Sequence, residues 1–408
     1  MPRPASPRGR ARATIAQPVA ARETIGGIGF RLTSEQRELQ ALAHEFAERE
    51  LRPVAAECDR TGEYPPELLA RAARLGLTSH AIPAEYGGGG VSAVTSTIIA
   101  EELSWGCAAL AATIGATMFP VRPLLAAGTE EQKDTWLPRL AAEEGCFAAI
   151  AFSEPGAGSD VAAIQATARR EGDEYVVSGE KCYITNGGVA ELTVVFAKLD
   201  GAMTAFLVEP EDAGVLAGRV EDKVGLRASR TGSILFEDAH IPADRLLGEE
   251  GGGFVLAMDF FEHSRPQVAA AAVGLARAAF EYASAYARER TAFGAPIISK
   301  QGVSFKLADM GMAIDASRLL TWRAAAALDE GADAGLLGSY AKAFAADTAM
   351  RVTTDAVQVL GGAGIMRDHP VEKWMRDAKV MQVVEGTSEI QRQIVATYLA
   401  NDWTERPR

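Results

Sequence analysis

The chain has 408 residues, 48% of them hydrophobic and 23% charged, which supplies enough apolar surface for two or three packed units with a substantial core. Its net charge of −13 argues against nucleic acid, whose binding rests on Lys and Arg neutralising phosphates, and against an anionic membrane surface. Four cysteines (Cys58, Cys107, Cys146, Cys182) lie far apart with no CxxC spacing. They suggest no zinc site or other metal centre, and read as buried thiols in a reducing compartment.

Residues 1–22 hold five arginines and no acid. They lack the apolar core of a secretory signal. They read as a disordered basic tail of a cytoplasmic protein; the alternative, a transit peptide, would place it in the mitochondrial matrix. No apolar run approaches the roughly 18 residues that span a bilayer, so no membrane segment is expected.

Thr33-Ser34-Glu35-Gln36 fits a capping box, and Leu39, Leu42, Phe46, Leu51 and Val54 follow at helical spacing. A helix to about Ala56 is predicted, then another opened by Tyr64-Pro65-Pro66. EYGGGG (85–90) reads as a flexible loop. Residues 95–142 are rich in Ala and Leu, with breaks at Pro120, Pro123 and Gly128. From Cys146 the pattern changes to short strand-like segments separated by turn residues, through about residue 250. That run reads as a small antiparallel barrel or sandwich. GEEGGG (248–253) marks the next boundary. Long helical stretches return at about 254–289, 300–330, 333–360 and 370–400, as in a helical bundle.

The reading is an α+β chain: a tail (1–27), an N-terminal helical domain (28–145), a middle β domain (146–250), a C-terminal helical bundle (251–402) and a short tail (403–408). No repeat at solenoid periods is evident.

Several stretches carry possible chemistry. SEPGAGSD (153–160) follows a strand, and its glycines let the backbone approach a ligand; an ordinary turn is the bland alternative. KCYITNGG (181–188) offers Tyr183 as a flat platform and Thr185 as a hydroxyl, or else a core tyrosine before an Asn-Gly turn. In ARERTAFG (287–294), Arg288 and Arg290 fit either a helix C-terminus or a diphosphate. QVLGGAG (358–364) has more glycines than a helix cap needs. Glu385, in VVEGTSEIQR, follows an apolar run and precedes a glycine. A glutamate alone is usually solvated, but an apolar setting would raise its proton affinity and suit it to remove a weakly acidic proton.

Together, SEPGAGSD, KCYITNGG, the Arg-Pro of HSRP (263–266), RTAFG (290–294), QVLGGAG and VVEGTSEIQR resemble the acyl-CoA dehydrogenase family, in that family's order, over about residues 31–400. The resemblance implies a helical domain, a middle antiparallel β-barrel domain and a C-terminal four-helix bundle. It also implies a homotetramer built as a dimer of dimers, with FAD as cofactor. The implied reaction oxidises an acyl-CoA to its trans-2-enoyl-CoA and passes electrons to electron-transfer flavoprotein.

By the same resemblance Glu385 is the catalytic base, with the thioester carbonyl polarised by its own N–H and a flavin ribityl hydroxyl, and Gly386 a substrate contact. Thr387 and Glu389 contact the flavin adenine portion. Phe152, Ser153, Tyr183 and Thr185 surround the isoalloxazine ring. Ser159 and Glu262 touch the CoA chain, and Arg265 lies near the substrate. Arg290, Phe293, Gln301, Gln358, Gly361 and Gly362 reach the FAD of a neighbouring subunit.

There are departures from the family's pattern. Tyr183 replaces a frequent tryptophan, and Lys300 a frequent aromatic or histidine. Val384 replaces a frequent tyrosine or phenylalanine, which widens the acyl slot. Some branched- and long-chain members carry their base at the position of Ser264, so Glu385 is the candidate here, and straight acyl chains are favoured. The alternatives are an acyl-CoA oxidase, a dehydrogenase of carrier-protein-bound acyl groups, or a non-redox nucleotide-binding or scaffolding protein of the same fold.

Overall fold

The computed structural model describes residues 31–400; the basic tail and the C-terminal tail lie outside the described residues. The N-terminal helices are α1 (Ser34–Phe46), α2 (Ala55–Thr61), α3 (Pro66–Arg74), α4 (Ala93–Ala116), α5 (Val121–Ala127) and α6 (Glu130–Leu140). Thr33 caps α1 in a reciprocal box with Gln36, as its spacing predicts. The helix does not run unbroken to Ala56. A π-helical turn at Ala47–Leu51 precedes turn residues 52–54 and then α2.

EYGGGG is not a free loop either. The N–H groups of Gly88, Gly89 and Gly90 bond the carbonyls of Pro83, Ser79 and Ile82. Pro123 does not break its segment but sits in the first turn of α5, where a missing N–H is tolerated. Ala93–Ala127 is apolar and long enough to cross a bilayer by length and composition, contrary to the sequence reading. Most of it is buried in the protein, with α4 packed on the long bundle helix α7 (Gly253–Glu289), as in the core helix of a globular domain.

The middle domain holds β1 (Ala148–Ala151), β2 (Thr167–Glu171), β3 (Glu174–Thr185), β4 (Leu192–Leu199), β5 (Ala202–Val208), β6 (Val215–Val220), β7 (Thr231–Pro242) and β8 (Leu246–Leu247). The order is β6-β7-β3-β2-β4-β5-β8, with β1 also on β4. The sheet is mixed, not antiparallel as expected, because β1 and β2 both run parallel to β4. β1 pairs with Leu192–Val195 and β2 with Lys198–Leu199. The two short strands therefore lie in line along β4, and residues 152–166, which include SEPGAGSD, are an excursion between them.

A two-stranded hairpin, β9 (Thr291–Ala292) and β10 (Ala295–Pro296), follows α7. Then come α8 (Gln301–Asp329), α9 (Gly335–Leu360), α10 (Val371–Met381) and α11 (Ser388–Ala400). α7, α8 and α9 pack on one another, α10 packs on α7 and α9, and α11 lies on α9. The single helix expected over 370–400 is thus two helices, and Glu385 lies in the break between them.

Candidate active site

The break at 382–387 is a tied loop. Its ends are closed by the Ser388 N–H donating to the Gln382 carbonyl at 2.9 Å. Asp347 of α9 accepts from Gln382 Nε2 at 2.7 Å, from Ser388 Oγ at 3.0 Å and from Arg392. Gln391 Nε2 donates to the carbonyls of Glu385 (3.1 Å) and Gly386 (3.2 Å). Thr387 Oγ1 accepts from the Ile390 N–H at 3.2 Å and so caps α11.

Within this frame Glu385 takes φ +53° and Gly386 φ +83°. A left-handed glutamate costs on the order of 1 kcal/mol or more and persists only where its surroundings over-determine it. No hydrogen bond from the Glu385 or Gly386 N–H occurs among the described residues, so two adjacent donors remain available.

The Glu385 side chain is half-buried. Ser264 Oγ, on α7, donates to Glu385 Oε2 at 3.0 Å. Burial raises the proton affinity of the carboxyl above the usual range; Ser264, Lys342 and Arg265 oppose it but do not cancel it. The side chain is therefore a carboxylate poised to accept a proton. Arg265 is 9% exposed, with its Nε unpaired. Glu262, one turn earlier, accepts from the Ala334 N–H at the start of α9. Its carboxylate is already engaged.

A second group assembles on the sheet. The Cys182 N–H donates to the Ser153 carbonyl at 2.9 Å, which brings Ser153 beside the strand carrying Tyr183 and Thr185. Glu154 closes the excursion by accepting from the Gln165 and Ala166 N–H groups. Lys181, fully buried on β3, donates to Glu154 Oε1 at 2.7 Å and to the Phe152 carbonyl at 3.0 Å. Tyr183 has φ +59° and is 67% exposed among the described residues, an aromatic face largely open to solvent. Ser159 is exposed at the far end of the excursion. The ring of Phe152, by contrast, is withdrawn into the core and stacks 4.2 Å from Phe196.

These two groups meet. Phe152 lies 4.8 Å from Phe261, whose carbonyl is 3.3 Å from Ser264 Oγ. The remaining predicted residues form a third group. Arg290, Gly361 and Gly362 line an open groove of about 450 Å³ with Tyr286 and Ile297. Gln301 and Gln358 are exposed. Phe293, at the tip of the β9–β10 hairpin, is 95% exposed. Gly361 adopts φ +61°, ψ −132°, a conformation open essentially to glycine alone.

Arg290 caps the C-terminus of α7 and Arg265 lies about a third of the way along it. At 1.5 Å per residue the two are roughly 38 Å apart along the helix, beyond the span of one dinucleotide. Sequence reasoning missed Lys181 and Lys342, both buried without exposure. Lys342 carries a readable signal: Gly338, Ala345 and Ala346, at helical spacing around it, place it on an apolar face.

An uncovered aromatic platform, an arginine–glycine groove and a desolvated carboxylate fit a flavin nucleotide and a substrate with a weakly acidic C–H. The fold comprises two helical domains flanking a sheet domain. Sequence profiles then place it. Those of the acyl-CoA dehydrogenase N-terminal, middle and C-terminal domains match residues 33–144, 149–239 and 251–400.

The chain is 42% identical to cyclohex-1-ene-1-carbonyl-CoA dehydrogenase of Geobacter metallireducens, over 90% of this chain and 98% of that protein. It superposes on butyryl-CoA dehydrogenase of Megasphaera elsdenii with a TM-score of 0.89 at 39% identity, over 91% and 100% of the two chains. It is also similar to a chain in a structure of the electron transferring flavoprotein of Acidaminococcus fermentans, with a TM-score of 0.90 at 38% identity, over 92% and 100%. The chain belongs to the acyl-CoA dehydrogenase family and is an oxidoreductase whose cofactor is FAD.

Proposed function

We infer that the protein dehydrogenates an acyl-CoA thioester between Cα and Cβ, with Glu385 as the base that removes the α-proton. The observation that carries this is the setting of Glu385: a carboxylate of raised proton affinity, on a tied left-handed turn, beside two unspent N–H donors. A proton α to a thioester is a poor acid. Donors on the thioester oxygen offset the developing negative charge, each worth a few kcal/mol in such a site. The Glu385 and Gly386 N–H groups are the protein's candidates. FAD, when bound, supplies the hydride acceptor.

The chain's own residues divide the remaining work. Ser153, Tyr183 and Thr185 would flank the flavin ring, and Thr387 and Glu389 would face its adenylate side. Ser159 and Arg265 would touch the acyl-CoA; Glu262 would reach it only by leaving Ala334. The separation of Arg265 from Arg290 supports a shared site, in which Arg290, Phe293, Gln301, Gln358, Gly361 and Gly362 serve the FAD of a neighbouring copy. A homotetramer would supply that copy. Electron-transfer flavoprotein is the proposed acceptor, on the likeness to the Acidaminococcus chain. Four buried free thiols fit a reducing compartment, whether cytoplasm or mitochondrial matrix.

Val384, 38% exposed beside Glu385, is small enough to admit an unbranched acyl chain. The purified protein should be yellow and should bleach anaerobically with one or more of butyryl-, octanoyl-, isobutyryl- and cyclohex-1-ene-1-carbonyl-CoA. A colourless protein that takes up no FAD would overturn the reading. Peroxide release in air would convert it to an oxidase.

A further inference from the structure

Lys342 has no exposure to solvent, and its ammonium donates to the Gly386 carbonyl at 2.7 Å. Burying an ammonium is costly unless it is compensated. A leucine or methionine at this point of α9 would fill the space without that cost. The same carbonyl already accepts from Gln391, so the loop does not need the lysine merely to satisfy Gly386.

The charged and titratable groups facing Lys342 are Glu385 from the loop, Asp347 on its own helix, Glu389 from α11 and Arg265 from α7. Of these, Asp347 is engaged by Gln382, Ser388 and Arg392. Glu385 is the carboxylate whose chemistry a neighbouring cation would change.

We propose that Lys342 is a positioning residue for the reaction: it pins the Glu385–Gly386 turn through the Gly386 carbonyl and sets a buried cation one residue from the base. The inference rests on the reading of Glu385 as the base. Burial drives the Glu385 proton affinity up, and Lys342 and Arg265 pull against it. Burial likewise pushes Lys342 down to about 8, so the lysine is charged at neutral pH and discharges in mild alkali. Without it, Glu385 would hold its proton to higher pH.

The test compares the wild-type holoenzyme with Lys342→Gln, Lys342→Met and Lys342→Arg. Lys342→Gln keeps a donor for Gly386 and drops the charge, Lys342→Met drops both, and Lys342→Arg keeps the charge. The first readout needs no turnover: the infrared band of the protonated Glu385 carboxyl, assigned by its loss in Glu385→Gln and titrated with pH. The band should persist to higher pH in the Gln and Met variants and return towards wild type in the Arg variant. The second readout is anaerobic flavin bleaching by butyryl-CoA. It should fall roughly tenfold at pH 6 in Lys342→Gln, the scale of one charge removed at close range, and less at pH 8.

FAD content and melting temperature identify any variant that fails to fold; Lys342→Gln, which keeps an uncharged amide donor, then carries the test. A Glu385 band that titrates alike in wild type and Lys342→Gln overturns the proposal. If Glu385→Gln bleaches like wild type, the base assignment fails instead, whatever the infrared band shows.

Discussion

Ser264 Oγ and Glu385 Oε2 lie 3.0 Å apart across the interface of α7 and the 382–387 loop, the hydroxyl donating to the carboxylate. The bond favours the ionised carboxylate against the burial that opposes it. Ser264→Ala removes the donor, so Glu385 retains its proton to higher pH. The rate of flavin reduction should fall several-fold below neutrality and approach wild type at alkaline pH, as measured by stopped-flow reduction across a pH series. A uniform loss at every pH would point to a packing defect.

Gly386 is held at φ +83°, and a Cβ added there would sit 2.6 Å from Gln391 Nε2. That amide is the shared donor to the Glu385 and Gly386 carbonyls. Gly386→Ala should cost about 1–2 kcal/mol of stability through backbone strain. It should lower flavin reduction more than tenfold with FAD content unchanged, because the displaced group is the base and not the cofactor site. Denaturant unfolding and single-turnover reduction measure the two effects.

Lys181 and Glu154 form a buried ion pair that joins β3 to both ends of the 152–166 excursion. Burial is the main influence on each. It lowers the lysine, while Lys181 and the backbone donors still hold Glu154 below its usual range. Lys181→Met leaves Glu154 buried and unpaired, at a cost of about 3–5 kcal/mol. Thermal melts should show that loss, and the ratio of flavin to protein absorbance should drop as the loop around Ser153 loosens. Pairing it with Glu154→Gln should recover part of both.

His80 is buried, with Nδ1 3.1 Å from the Leu77 carbonyl and Nε2 unpaired. Burial lowers its pKa from 6.5 to about 4. Between these values the unfolded chain binds more protons than the folded one, so stability falls as pH drops from 6.5 towards 4. The loss from this residue is at most about 3 kcal/mol. Denaturant unfolding at pH 7 and pH 4.5 should show a smaller acid loss in His80→Gln than in wild type.

Periodicity revealed the long helices, and turn residues revealed the strand-rich middle domain, because those patterns are local. Breaks set by tertiary contacts were not legible. The stretch from 370 to 400 reads as one helix; its interruption at VVEGTSEIQR is enforced by Asp347 and Lys342, remote in sequence, together with the nearby Gln391. The parallel pairing of β1 and β2 on β4 was equally hidden, since strand direction depends on where the chain re-enters after the excursion. Glu385 stood out because a carboxylate after two valines and before a glycine suits neither a core nor a surface helix. Lys181 had no such signal: a lysine in a strand reads as solvent-facing until the buried Glu154 is placed beneath it.

The most direct measurement is anaerobic addition of a reactive acyl-CoA to FAD-loaded Glu385→Gln while flavin absorbance is followed. The substitution keeps the size of the side chain and removes its ability to accept a proton. The expected result is a variant that stays yellow and fails to bleach where the wild type bleaches within the mixing time. Reduction at the wild-type rate would contradict the assignment of Glu385 as the base.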